Sequence, residues 1–229
     1  MNNIIKLAAA VTTLVLALAA CAKIDHAEGQ KVTYYPVIEL QGDNPYIASV
    51  GGSYVDPGYT ATLNGEDVTG TVTIESDVDM NEMGLYTVTY TAVNEDGFSA
   101  SESRQVIVAN PGHIDTVYEC YVKYGSRSYR NPFALEEVAA NQYYISDIMG
   151  GMYCLGRYPG YEAYGYDFWA EGVFQINPDN SLSLVSVGSW YFLSSFDYTT
   201  FEGSYDPETG VIKWTIEGDF LVTLTPYSN

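Results

Sequence analysis

The chain has 229 residues, 47% hydrophobic and 14% aromatic, with 9 lysines and arginines against 29 aspartates and glutamates, a net charge of −20. That apolar content supplies packed cores for one or two domains and excludes a disordered chain. The charge, spread along both halves, excludes attraction to nucleic-acid backbones or anionic membrane surfaces and marks a solvated acidic exterior.

Residues 1–20 read as a signal peptide: MNNIIK carries one lysine, and Leu7 to Ala20 is small and aliphatic apart from two threonines. The run is too short for an untilted membrane span and fits a secretory hydrophobic region. LALAAC, Leu16 to Cys21, resembles the lipobox of bacterial lipoproteins. The resemblance implies that Cys21 receives a diacylglyceryl group, becomes the new N-terminus and attaches the protein to a membrane. Several acyl chains, at ~0.8 kcal/mol per buried methylene, anchor far more firmly than one. Residues 21–35 carry Lys23, Asp25, His26, Glu28 and Lys31 with no apolar period, and read as a tether. Acids soon after the cysteine resemble surface-export signals of some Gram-negative lipoproteins, which implies an outer-membrane or cell-surface location.

From Pro36 the pattern has period two. Val37 to Leu40 and Tyr46 to Val50 read as short strands, and Asp56-Pro57-Gly58 as a turn. Tyr59, Ala61 and Leu63 alternate with threonines, and Asn64-Gly65 signals a hairpin. Val72 and Ile74 share one face, and Tyr86, Val88, Tyr90 and Ala92 share another. A last strand follows the Glu95-Asp96-Gly97 turn and ends at Val106-Ile107-Val108, before Asn110-Pro111-Gly112 punctuates the chain. About seven short strands in roughly 75 residues predict an Ig-like β-sandwich over residues 36–109. YVDPGYTA (Tyr54 to Ala61), GLYTVTYTAVNEDG (Gly84 to Gly97) and the closing R-x-V-I-V (Arg104 to Val108) make this segment similar to the Ig-like repeats of bacterial surface proteins, related to hyalin-type repeats. That resemblance implies a spacer or adhesion module without catalytic residues. Asp77-Val78-Asp79-Met80-Asn81 opens like a calcium loop, but Glu82 stands at position six and Val88 at position twelve, so it reads as a solvated turn.

Beyond Pro111 lie 15 of the 22 tyrosines, 7 of the 8 phenylalanines and all three tryptophans, which marks residues 110–229 as a second domain. Val173 to Ile176 and Leu182 to Val185 flank Asn177-Pro178-Asp179-Asn180, and Gly203 to Tyr205 and Val211 to Ile216 flank a turn at Asp206 to Gly210, giving two hairpins. Phe220 to Leu224 supplies a last strand, and Phe133 to Ala140 is read as strand rather than helix. The expected fold is all-β: the Ig-like β-sandwich, then an antiparallel β-barrel or curved sandwich. YYISDIMGGMY (Tyr143 to Tyr153), NPDNSLSLVSVG (Asn177 to Gly188) and YDPETGVIKWTI (Tyr205 to Ile216) resemble the lipocalin-like C-terminal β domain that follows an Ig-like domain in lipoproteins of gut glycan-utilisation systems. The resemblance implies a non-catalytic surface component and leaves its ligand open.

RYPGYEAYGYDFWAEG, residues 157 to 172, is the stretch with most chemical character. Read as a strand, its even positions Tyr164, Tyr166, Phe168, Ala170, Gly172, Phe174 and Ile176 form an apolar inner face. Its odd positions set Tyr161, Asp167, Trp169 and Glu171 together outside, and aromatic faces beside carboxylates suit a sugar, whose C–H groups stack while its hydroxyls need fixed partners. The other reading is a strand with an ordinary mixed outer face, or a loop packing its own tyrosines.

Other chemistry is thin. His26 and His113 are the only histidines, one in the tether and one at the domain junction, so no histidine-based triad or metal site can be assembled. No metal, cofactor or catalytic residue is assigned, and no enzyme activity is expected. Cys120 and Cys154, both read as strand residues, remain after Cys21 is lipidated and stand either as a disulfide or as two buried thiols. The functions that fit are a glycan-binding surface lipoprotein with the Ig-like domain as spacer, or a structural or adhesive partner of other surface proteins. A carrier of an apolar molecule would need an open barrel.

Overall fold

The computed structural model describes residues 32–227. The expected signal peptide, Cys21 and most of the tether lie outside those residues. Among the described residues the fold is all-β, with two hydrophobic cores inside one compact unit, Tyr35–Asn229.

The first core lies between two sheets built from β1 (Val37–Leu40), β2 (Tyr46–Ser49), β3 (Tyr59–Leu63), β4 (Glu66–Asp67), β5 (Thr73–Ser76), β6 (Gly84–Val93) and β7 (Ser99–Ala109). One sheet has the order β1-β3-β4 and the other β2-β7-β6-β5, with β2 parallel to β7 and the other pairs antiparallel. Strand β6 shows why the sequence folds this way. Val88, Tyr90 and Ala92 are buried while the intervening threonines face outward, and the Thr91 and Ser101 hydroxyls meet across the pair at 2.8 Å. Asn64 and Gly65, at φ +52° and +85°, form the hairpin turn that the right-handed twist of β3 and β4 demands.

Arg104 is the one charged side chain inside this core region. Its guanidinium is fully buried and donates to the carbonyls of Gln41, Asp43 and Gly58. Asp56 lies 3.9 Å from Nε, and its other oxygen accepts the Tyr90 hydroxyl at 2.7 Å. The arginine of R-x-V-I-V therefore fastens two loops to the sandwich. The aspartates of the Asp77–Asn81 segment are spent on backbone: Asp77 Oδ1 accepts Thr87 N at 2.6 Å and Asp79 Oδ1 accepts Asn81 N at 2.8 Å.

The second core is enclosed by β8 (Val117–Tyr124), β9 (Arg127–Ala134), β10 (Glu136–Ala139), β11 (Gln142–Ile145), β12 (Gly172–Ile176), β13 (Leu182–Val187), β14 (Glu202–Tyr205), β15 (Ile212–Ile216) and β16 (Phe220–Pro226). One sheet runs β14-β15-β16-β8-β9 and the other β10-β11-β12-β13, all antiparallel. The expected hairpins and last strand are present, and Phe133 to Ala139 is strand broken only at Leu135. The chain passes from one sheet to the other at Leu135, and a single bridge, Ser181 to Ser204, joins them on the far side. The sheets curve around the core without closing into a barrel.

The interior is full. The segment between β11 and β12 folds inward, bringing Ile148, Met149 and Met152 against Phe174, Trp214 and Val222. Trp214 Nε1 donates to the Ile148 carbonyl at 3.0 Å. Gly150, at φ +62°, passes so close to β8 that a Cβ there would stand 2.8 Å from Cys120 Sγ. The open interior that an apolar carrier would need is thus occupied by the chain itself. Cys120 lies in β8 as expected, but Cys154 lies in a π-helical turn, Met152–Arg157, and not in a strand.

Candidate functional site

Residues 157–171 depart from the expected strand, which begins only at Gly172. Gly160 and Gly165, at φ +76° and +82°, bracket a 3-10 turn at Tyr161–Tyr164 and interrupt the alternation. Tyr164 and Tyr166, expected in the core, are 77% and 43% exposed, whereas Phe168 is 4% exposed. From Phe168 onward the even positions do point inward: Ala170, Gly172, Phe174 and Ile176 are all buried.

Trp169 consequently faces the other way. It walls a cleft of about 530 Å³ between the outer face of the β6–β7 pair, which contributes Leu85 and Gln105, and the second β region, which contributes Asn131, Phe133, Glu136 and Tyr144. The indole stands edge-on to Phe133 at 6.5 Å, and its Nε1 donates to Glu162 Oε1 at 2.8 Å. Tyr144 is the second aromatic wall. It pairs across the sheet with Glu136, so both side chains leave on one face, and the Glu171 carboxylate stands near its phenol. Burial, then the Glu171 charge and hydrogen bond, then the Glu136 charge hold the Tyr144 phenol above its ordinary pKa. Trp169 is thus oriented by a carboxylate and Tyr144 has one nearby, while Glu136 and the amides of Asn131 and Gln105 supply polar groups beside the rings.

The four residues singled out from the sequence part company. Trp169 lines the cleft, and Glu171 supports it through Tyr144. Asp167 serves the backbone: Oδ1 accepts Trp169 N at 3.0 Å, and its carbonyl accepts Tyr191 N at 3.1 Å. Tyr161 belongs to a separate groove of about 350 Å³ walled by Tyr158, Tyr161, Tyr166, Phe168, Tyr191 and Phe192. Those rings support one another, with Tyr158 on Phe168 at 4.7 Å and Tyr191 against Phe192 at 4.8 Å. Sequence reasoning missed Tyr144, Glu136 and Asn131. A register for β10 and β11 would have joined the first two, but no local signal brings Leu85 and Gln105 to Trp169.

Asp147 positions the Trp169 segment from behind. The carboxylate is fully buried, and Oδ1 accepts Met149 N at 3.0 Å and Ala170 N at 3.2 Å. Oδ2 accepts Gly151 N at 2.7 Å and the Cys154 thiol at 3.1 Å. Burial pushes its pKa up to about 6, against the thiol and the backbone N–H groups, which pull it down. Cys120 and Cys154 are buried free thiols, both with pKa values raised chiefly by burial and then by the Asp147 charge.

No protein of curated function matches the chain in sequence. The crystal structure of the lipoprotein BT2262 from Bacteroides thetaiotaomicron is similar, with a TM-score of 0.56 and 29% identity over 83% of this chain and 98% of that one. Two structures of ZmpB from Clostridium perfringens also align. One holds its catalytic domain with CBM51-1 and CBM51-2, at 17% identity, TM-score 0.30, over 80% of this chain and 14% of that one. The other holds CBM51-2 in complex with GlcNAc and the INT domains, at 18% identity, TM-score 0.28, over 78% and 29%. Scores that low carry no property across. Residues 38–108 match the family model described as bacterial surface protein, Ig-like domain, and residues 75–226 match the BT2262-like, C-terminal domain, starting within β5. On that second match, which spans more than half of the sequence, the chain belongs to the family of the BT2262-like C-terminal domain.

Proposed function

We propose that the protein is a non-catalytic lipoprotein of the bacterial surface that binds glycan in the Trp169 cleft. In this reading Cys21 carries the lipid anchor at the outer membrane, and residues 36–109 act as the spacer domain, with a boundary at Asn110 to Gly112. The family membership and the similarity to the lipoprotein BT2262 support the surface setting. The observation that carries the ligand class is the pairing of two aromatic walls, Trp169 and Tyr144, each with a carboxylate close to its polar end and with polar side chains beside it. Pre-oriented rings lose little freedom when a sugar stacks on them. The test is a glycan array probed with the whole chain and with Trp169→Ala and Tyr144→Ala variants that remain folded. The variants are expected to lose signal on the glycans that the parent binds; full retention by both removes the cleft from the function.

A second reading, contact with another surface protein, is favoured by the tyrosine groove. Its six lining residues are all aromatic, and Tyr161, Tyr164, Tyr166 and Tyr191 are exposed side by side on loops. Tyrosine-rich loops of this kind suit protein recognition.

A further inference from the structure

Nothing in the wall of the Trp169 cleft is cationic. Among the cations of the described residues, Arg104 is buried in the first core. Arg130 pairs with Glu119 and lies over the Tyr121 ring, and Arg157 lies over Tyr158. Lys123, Arg127 and Lys213 belong to other surfaces, outside the cleft lining. The cleft's own charged group is Glu136, which is exposed at its wall, and two further carboxylates, Glu162 on the Trp169 indole and Glu171 near the Tyr144 phenol, stand close by. The chain as a whole adds a net −20.

A ligand entering this space meets aromatic faces, amide groups and a carboxylate acceptor. Sugar hydroxyls donate to such a carboxylate in charge-assisted hydrogen bonds. A uronate or sulfate instead brings like charge into a partly water-excluded space with no arginine or lysine to receive it. One anion held ~6 Å from one carboxylate, at an effective dielectric of ~40, weakens binding about tenfold. We infer that the cleft selects uncharged glycan chains over uronate- or sulfate-bearing ones, and that Glu136 sets this preference. The inference rests on the glycan reading of the cleft and adds the class of glycan to it.

The experiment measures affinity electrophoresis of the whole chain in detergent against a neutral panel (laminarin, dextran, mannan) and an acidic panel (polygalacturonate, chondroitin sulfate), at low salt and at ~0.5 M sodium chloride. At low salt the acidic polymers are expected to bind at least about tenfold more weakly than the best neutral one, with the gap narrowing in salt. Glu136→Gln is expected to reduce the neutral-to-acidic ratio at least about threefold, whatever happens to the neutral affinity itself. Glu208→Gln, on the exposed turn after β14, is expected to leave the ratio unchanged. An equal change in both variants assigns the effect to net charge and overturns the role of Glu136. Acidic polymers bound as tightly as neutral ones at low salt, and lost in Trp169→Ala, overturn the selectivity while leaving the cleft in place. Binding of neither panel overturns the glycan reading itself and the inference with it.

Discussion

The Cys154 thiol donates to Asp147 Oδ2 at 3.1 Å inside the second core, where Asp147 also accepts three backbone N–H groups. This buried carboxylate ties the turn after β11 to the segment that presents Trp169, so its protonation state bears on both stability and the cleft. Its folded pKa of about 6 lies above the ordinary 3.8, so the native state binds the proton more tightly than the unfolded chain does. The stabilisation from this group is complete below the unfolded value and is lost as pH rises through about 6. The stability difference between the parent and Asp147→Asn is expected to shrink by up to about 3 kcal/mol from pH ~4 to ~6.5 and then stay level. Urea denaturation at several pH values reads it; a difference that is flat or grows with pH contradicts the assignment.

The two thiols are the subject of a second prediction. Both are buried with pKa values raised by burial, so neither presents a thiolate to solvent. In a chain carrying Cys21→Ser, a thiol reagent is expected to label nothing in the native state and two cysteines after unfolding without reductant. An unfolded, unreduced chain that still labels at neither position contains a disulfide.

Much of the fold was legible because its signals are local. Asn64-Gly65 fixed a hairpin through backbone handedness, and the threonine alternation of β6 fixed which of its residues face the core. The turns at Asn177–Asn180 and Asp206–Gly210 fixed two more hairpins. Residues 146–171 were not legible in the same way. Residues 147–154 run inward because Asp147 and the Gly150 approach to Cys120 hold them there, contacts that reach across distant strands, while residues 159–167 return to the surface. Tyr164 and Tyr166 misled for a related reason: Gly165 breaks the period-two pattern on which an inner-face assignment depends. The cleft needed even longer-range information, since Leu85 and Trp169 meet only once both β regions are in place.

Arg104 supplies a test of the first core. Its guanidinium donates to three loop carbonyls and faces Asp56, so truncation removes a donor from each of those carbonyls and leaves Asp56 without its cation. Arg104→Ala is expected to cost about 3–5 kcal/mol, with hydrogen-exchange protection lost first in β6 and β7. A loss below ~1 kcal/mol would mean that water replaces the guanidinium freely.

The anchor is tested at Cys21, on the strength of Leu18-Ala19-Ala20-Cys21 after a short apolar run. Cys21→Ala is expected to move the protein to the soluble fraction and to abolish acyl labelling. Unchanged membrane retention in the variant would remove the lipid attachment from this account.

Phe168 and Trp169, neighbours in sequence, separate core from cleft. Phe168 is 4% exposed and stacks on Tyr158 at 4.7 Å and Phe192 at 5.4 Å. Trp169 is half-buried, touches the core at Phe133 and opens to the cleft. Phe168→Ala is expected to cost about 3–5 kcal/mol as a cavity-forming change. Trp169→Ala, at a site already open to solvent on one side, is expected to cost about 1–2 kcal/mol and to abolish stacking with a ligand. Tyr161→Ala alters the tyrosine groove alone, so glycan binding in the cleft is expected to survive it. Denaturation and glycan binding measured on the same three variants distinguish these roles. If Tyr161→Ala weakens glycan binding as much as Trp169→Ala does, the ligand reaches the tyrosine groove, and the boundary drawn here between cleft and protein-contact surface is wrong.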